Sequence, residues 1–187
     1  TAKGASDTAV RLAPDDPAVI AQLGDYYFHA DRDYARATEQ YLRLAQMRPN
    51  DPAVLRSLAE VQNRQGRWAD AIASMRRAMT LDPGSLTGGN QLFSLLPATR
   101  HYNEAEALSR RLMRDFPDEE VPYGNLALVT FHARGSTGEM EAFARKAFPP
   151  DRREHVRYLQ KRLARLRGDF TEAIRLDRLQ PVYRDGT

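Results

Sequence analysis

Apolar residues recur at three- and four-residue steps along this 187-residue chain, in short stripes separated by glycine, proline and acidic residues. Val54, Leu55, Leu58 and Val61 make one stripe; Ala71, Ile72, Met75, Ala78 and Met79 make the next. Steps of this size line one face of an α-helix. The punctuation agrees. Asp51 and Pro52 open the first of these helices, an acidic cap followed by a proline where no backbone donor is needed. Gly66 ends it, since glycine tolerates the left-handed turn. A second helix starts near Trp68 and stops before Pro83. Ala71 and Ala78 are small enough for two helix backbones to approach closely, and Trp68 is expected to fill the gap beside them.

The same order returns at a fixed interval. Tyr34, Trp68 and Tyr102 stand 34 residues apart, and Phe170 follows at twice that step. Ala37, Ala71, Ala105 and Ala173 keep the same steps. Leu23, Leu58, Leu92 and Leu126 are separated by 35, 34 and 34, and Pro14, Pro49, Pro83, Pro117, Pro150 and Pro181 recur at 31 to 35. A period of 34 is the length of a helix–turn–helix repeat unit.

The residues at these positions resemble the tetratricopeptide repeat. Leu23-Gly24, Tyr27, Tyr34, Ala37, Tyr41 and Pro49 carry the pattern first. Leu58-Ala59, Gly66, Trp68, Ala71, Ala78 and Pro83 carry it again, then Leu92-Phe93, Tyr102, Ala105, Leu112 and Pro117. A fourth copy keeps Leu126-Ala127 and Phe143 but has Ser136 and Glu139 where an aromatic and an alanine belong. "RGDFTEAI" at 167–174 restores the signature in a fifth. The resemblance implies an all-α fold, a right-handed superhelical solenoid of antiparallel helix pairs with about four to five repeats. The expected organisation is a second helix of a truncated preceding repeat at 1–14, and repeats at 15–49, 50–83 and 84–117. A degenerate repeat follows at 118–150, then a weak or partial one with a tail at 151–187. The chain is accordingly expected to begin inside a longer array, as a segment of a larger bacterial protein.

Departures from the period locate irregularities. The spacing of 35 places one extra residue between Leu23 and Tyr34, expected in the "HADRD" turn at 29–33. Pro97 should cut the third repeat's first helix short, and "TGGNQ" at 87–91 should open that helix. "RGSTG" at 134–138 suggests a looser turn and a short second helix in the fourth repeat.

Composition narrows the chemistry. There is no cysteine, which excludes disulfides and thiolate catalysis. No Gly-rich phosphate loop with its lysine and no Gly-x-Ser-x-Gly turn is present. His29, His101, His132 and His155 lie far apart without metal-ligand spacing. The reading is a non-enzymatic protein with no cofactor and no metal. No apolar run approaches a membrane span and no signal peptide stands at the N-terminus, so a soluble protein of the cytoplasm or periplasm is expected.

Net charge is +3 but uneven: residues 145–167 carry nine Lys or Arg against two acids, leaving −4 for the rest. Arg152, Arg153, Arg157, Lys161, Arg162 and Arg165 form the candidate basic patch. The plain reading packs this helix by Val156, Leu159, Leu163 and Leu166 with solvated arginines. The sharper one is contact with an acidic partner, nucleic acid or an anionic surface.

Function therefore rests on surface. The resemblance implies that first helices line a concave groove that holds a peptide or partner helix. Its groove positions carried onto this sequence are Asp25, Phe28 and His29; Arg56, Glu60, Asn63 and Arg64; Asn90 and Ser94; and Leu128, Phe131 and His132. Phe28 and Phe131 are candidate aromatic anchors, or braces for the adjoining helix. The carboxylate-gripping version of the groove needs lysine and asparagine where this chain has Ala21 and Asp25, then Arg56 and Glu60, and an acid there repels a carboxylate. The expected role is an interaction scaffold. The alternatives are an electrostatic adaptor acting through 145–167, or a spacer arm of an enzyme whose catalytic domain lies outside this chain. Self-association through open repeat ends is a further expectation.

Overall fold

A computed structural model describes residues 13–135, 138 and 153–178. Among these residues every regular element is helical. In chain order they are α1 (Pro17–Tyr26), a π-helical turn (Tyr27–Asp31), α2 (Tyr34–Met47), α3 (Pro52–Arg64), α4 (Trp68–Leu81) and α5 (Leu86–Leu95). A 3-10 turn (Pro97–Thr99), α6 (Tyr102–Asp115), α7 (Glu120–Arg134), α8 (Arg153–Leu166) and α9 (Phe170–Arg178) follow. The chain forms two compact units, Thr1–Leu95 and Leu96–Thr187.

Four helix starts, those of α1, α2, α3 and α9, carry side-chain caps. The Oδ1 atoms of Asp16, Asp33, Asp51 and Asp169 accept hydrogen bonds from backbone N–H groups two or three residues on, at 2.7–3.0 Å. The turns after α3, α7 and α8 carry left-handed glycines, Gly66 (φ +74°), Gly135 (φ +67°) and Gly168 (φ +74°). The equivalent turns after the first and third first-helices use Arg32 (φ 53°) and Arg100 (φ 61°) instead.

Within the first unit α1 packs on α2, α2 on α3, α3 on α4 and α4 on α5. Ala37, Ala71 and Ala78 are fully buried, as their small size requires. Ile20, Leu44 and Val54 form one core cluster, and Phe28, Ala37, Tyr41, Leu58 and Val61 form another. Two glycines set the closest approaches: a Cβ on Gly24 would meet the Tyr41 ring at 2.7 Å, and one on Gly88 would meet Met79 Sδ at 2.8 Å. The "TGGNQ" segment lies inside α5, which ends before Pro97 as the proline demands.

Within the second unit α6 packs on α7, α7 on α8 and α8 on α9. Its core includes Leu112, Leu126, Val129, Leu163, Ala173 and Leu176. The expected second helix of a truncated preceding repeat, at 1–14, and the short second helix of the fourth repeat fall almost wholly on segments outside the described residues.

Between Leu23 and Tyr34, and overlapping the "HADRD" turn, the chain forms the π-helical turn, which carries one more residue than an α-turn and closes on Arg32. One expectation needs correction. Trp68 does not fill a gap between helices: as the first residue of α4 it stays 49% exposed, and its equivalent Phe170 is 66% exposed.

Candidate functional site

The first helices α1, α3 and α5 of the first unit, with the π-helical turn after α1, carry nine of the residues expected to line a groove, and the structure sorts them. Phe28 is no surface anchor. The π-helical turn swings it into the core with Ala37, Tyr41, Leu58 and Val61, where it is only 8% exposed. His29 remains at the surface, its ring edge-on to Phe28 at 4.7 Å between centroids. Arg56 is occupied internally, its guanidinium 4.0 Å from the Asp82 carboxylate at the end of α4.

Asp25 accepts a hydrogen bond from the Tyr41 hydroxyl at 2.6 Å. That hydroxyl titrates well above its ordinary value: burial penalises the phenolate, and Asp25 and then Glu60 add negative charge beside it. The two carboxylates, from α1 and α3, thus act on one buried hydroxyl.

Glu60, Asn63, Arg64 and Ser94 come together. They line a pocket of about 200 Å³ between α3 and α5, whose remaining walls are Ala59, Met75, Gln91 and Leu95. Ser94 Oγ donates to the Gln91 carbonyl oxygen at 2.7 Å, fixing the α5 side. Gln91 Oε1 is buried and has no hydrogen-bond partner among the described residues. Neither Glu60 nor Arg64, one turn apart on α3, has an ion-pair partner among the described residues. Asn90, the expected α5 contributor, is half-buried and does not line the pocket; its neighbour Gln91 does. Adjacent residues on a helix point about 100° apart, and the groove position carried over from the repeat pattern fell one residue short of Gln91.

The other candidates lie in the second unit. On α7, Leu128 and Phe131 are half-buried and His132 is exposed, with the Phe131 and His132 rings edge-on at 6.0 Å. On α8, Lys161 Nζ donates to Asp177 Oδ1 of α9 at 2.7 Å, and Arg165 stands 3.7 Å from the same carboxylate. This hydrogen bond holds the Asp177 carboxyl below the usual range. Two residues of the expected basic patch therefore tie α9 to α8. Arg162 is half-buried. Arg152 and the side chains of Arg153 and Arg157 lie outside the described residues.

Among the described residues no group of three or more His, Asp or Glu side chains is placed to hold a metal ion. Among them, too, no helix is long and apolar enough to cross a membrane.

Antiparallel helix pairs stacked at a 34-residue period, with a mixed polar pocket on the first-helix side, define a helical-repeat protein. No family model matches the sequence. Over 72 residues, 37% of the chain, it is 38% identical to the TPR repeat-containing protein PA4667 of Pseudomonas aeruginosa, and the match spans 12% of that protein's length. Among solved structures it is similar to PilW, a type IV pilus biogenesis factor, with a TM-score of 0.67 at 16% identity over 98% of this chain and 86% of that one. It is also similar to YrrB, a TPR protein described as having an unusual peptide-binding site. There the TM-score is 0.59 at 15% identity, over 93% and 80% of the two chains. The structural likeness is one of fold. Together with the repeat signature, it gives this chain the fold of tetratricopeptide-repeat proteins.

Proposed function

We propose that this chain is a non-enzymatic interaction module that binds an extended segment of another protein in the pocket between α3 and α5. The observation that carries this reading is the set of polar groups there with no hydrogen-bond or ion-pair partner among the described residues: the Glu60 and Arg64 charges and the buried Gln91 Oε1. A buried acceptor without a partner costs free energy, and a bound ligand that donates to it removes that cost. Asn63 and Gln91 end in amides that offer both donor and acceptor, the combination a peptide backbone needs. The pocket is smaller than those that take drug-sized ligands, of roughly 300 Å³ and upward. That favours one side chain of a longer segment over a free metabolite. YrrB, of the same fold, is described as a peptide binder.

The test is selection of a phage library of random twelve-residue peptides on the purified chain. Selected peptides should lose at least tenfold in affinity for Ser94→Trp, which fills the pocket mouth. They should bind unchanged to Leu42→Arg on the exposed side of α2. Equal binding to the wild type and Ser94→Trp sinks the proposal.

A further inference from the structure

We infer that the pocket between α3 and α5 takes the side chain of a lysine or arginine from the bound segment; this rests on the peptide-binding reading above. Three observations converge on a cationic guest.

The first is the balance of acceptors and donors at the wall. Glu60 offers a half-buried carboxylate with no ion-pair partner among the described residues. Gln91 offers a buried Oε1 with no hydrogen-bond partner among the described residues. A lysine ammonium or arginine guanidinium is donor only, with three or five N–H groups, and can satisfy both at once. Charge-assisted bonds of this kind are about twice as strong as neutral ones.

The second is the charge nearby. Asp25 has no cation within ion-pair distance among the described residues, and its Oδ1 takes the Tyr41 hydroxyl proton. Tyr41 also senses Glu60, so both carboxylates lie close to its hydroxyl. Arg56 is spent on Asp82. Asp25 and Arg64 are both exposed and screened by solvent, which leaves the half-buried Glu60 as the least screened charge at the pocket. An anionic guest placed against Arg64 would have Glu60 for a neighbour; a cationic guest has Arg64 only at the rim.

The third is shape. Ala59, Met75 and Leu95 supply apolar wall, and the volume of about 200 Å³ suits one long side chain. Lysine and arginine carry an apolar stem that can lie along such a wall while the charged head reaches the acceptors.

The experiment uses the peptides selected from the random library on the intact chain. They should share a Lys or Arg at one fixed position. Replacing that residue by Ala should weaken binding at least tenfold in the wild type, but less than threefold in Glu60→Gln. Gln91→Leu should weaken the parent peptide by about threefold to tenfold, the scale of one hydrogen bond to a charged group. Thermal melts of both variants matching the wild type confirm that they fold. If pocket-blocked peptides instead share an acidic or aromatic residue, or if the Lys/Arg→Ala loss is the same in Glu60→Gln, the cationic assignment is overturned while peptide binding stands. If no selected peptide is sensitive to Ser94→Trp, both fall.

Discussion

Gly24 and Tyr41 touch so closely that a Cβ on the glycine would lie 2.7 Å from the ring Cε1 of the tyrosine. The ring cannot step aside, because it is buried among Phe28, Ala37, Leu58 and Val61 and its hydroxyl is tied to Asp25. Gly24→Ala gains helix propensity of about 1 kcal/mol. It loses more to overpacking, on the order of 1–3 kcal/mol. We expect net destabilisation of the first unit, read as a lower urea midpoint. The loss should shrink when Tyr41→Leu is combined with it. An unchanged midpoint in Gly24→Ala alone would show that α1 and α2 have room to separate.

The Tyr41 hydroxyl gives the same contact a pH signature. Its folded-state pKa lies above the unfolded value near 10. The neutral phenol therefore stabilises the fold fully below pH 10, and that contribution is lost as pH rises through the folded value. Stability of the wild type should fall above pH 10, more steeply than that of Tyr41→Phe. At pH 7 Tyr41→Phe should be less stable by about 1 kcal/mol, the usual worth of a hydrogen bond. Parallel pH profiles for the two proteins would refute the assignment.

Arg32 and Arg100 occupy left-handed turns that glycine fills at 66, 135 and 168. Left-handed backbone costs a non-glycine residue roughly 1 kcal/mol. Arg32→Gly and Arg100→Gly should each raise stability by about 0.5–1 kcal/mol, after the entropy cost of glycine in the unfolded chain. Calorimetry decides it, and a fall in melting temperature for both would contradict the turn geometry.

Asp177 should titrate below the ordinary aspartate value near 3.9, because Lys161 donates to its carboxylate. A depressed carboxyl stabilises the fold at neutral pH, and that contribution disappears as the solution is acidified through the folded pKa. NMR titration of the Asp177 side chain should show the low midpoint in the wild type and a return toward 3.9 in Lys161→Met. A midpoint unmoved by the substitution would place the cause elsewhere.

The helices were legible from sequence because caps, stripes and stop residues all point the same way along each repeat. Burial at a repeat position was less so. Ile72 and Ile174 occupy equivalent positions, yet Ile72 is 3% exposed and Ile174 53%. α5 follows and packs on α4, whereas no described helix follows α9. Period alone names the residue type and not its neighbour. The site was half legible for a related reason. Glu60, Asn63, Arg64 and Ser94 followed from groove position, but a one-residue insertion turned Phe28 inward, and Gln91 rather than Asn90 reached the pocket. Shifts of one residue alter a helical side chain's direction by about a quarter turn or more, since a turn holds only 3.6 residues.

The π-helical turn at Tyr27–Asp31 shows how such an array absorbs an error of length. The surplus residue is taken up within a single turn, and α2 starts at Tyr34 with its alanine and tyrosine still facing the core. A globular sheet protein would have to re-register whole strands to accommodate the same edit. Here the damage is quarantined, which leaves the ends of first helices free to drift in sequence while the stack beside them stays in step.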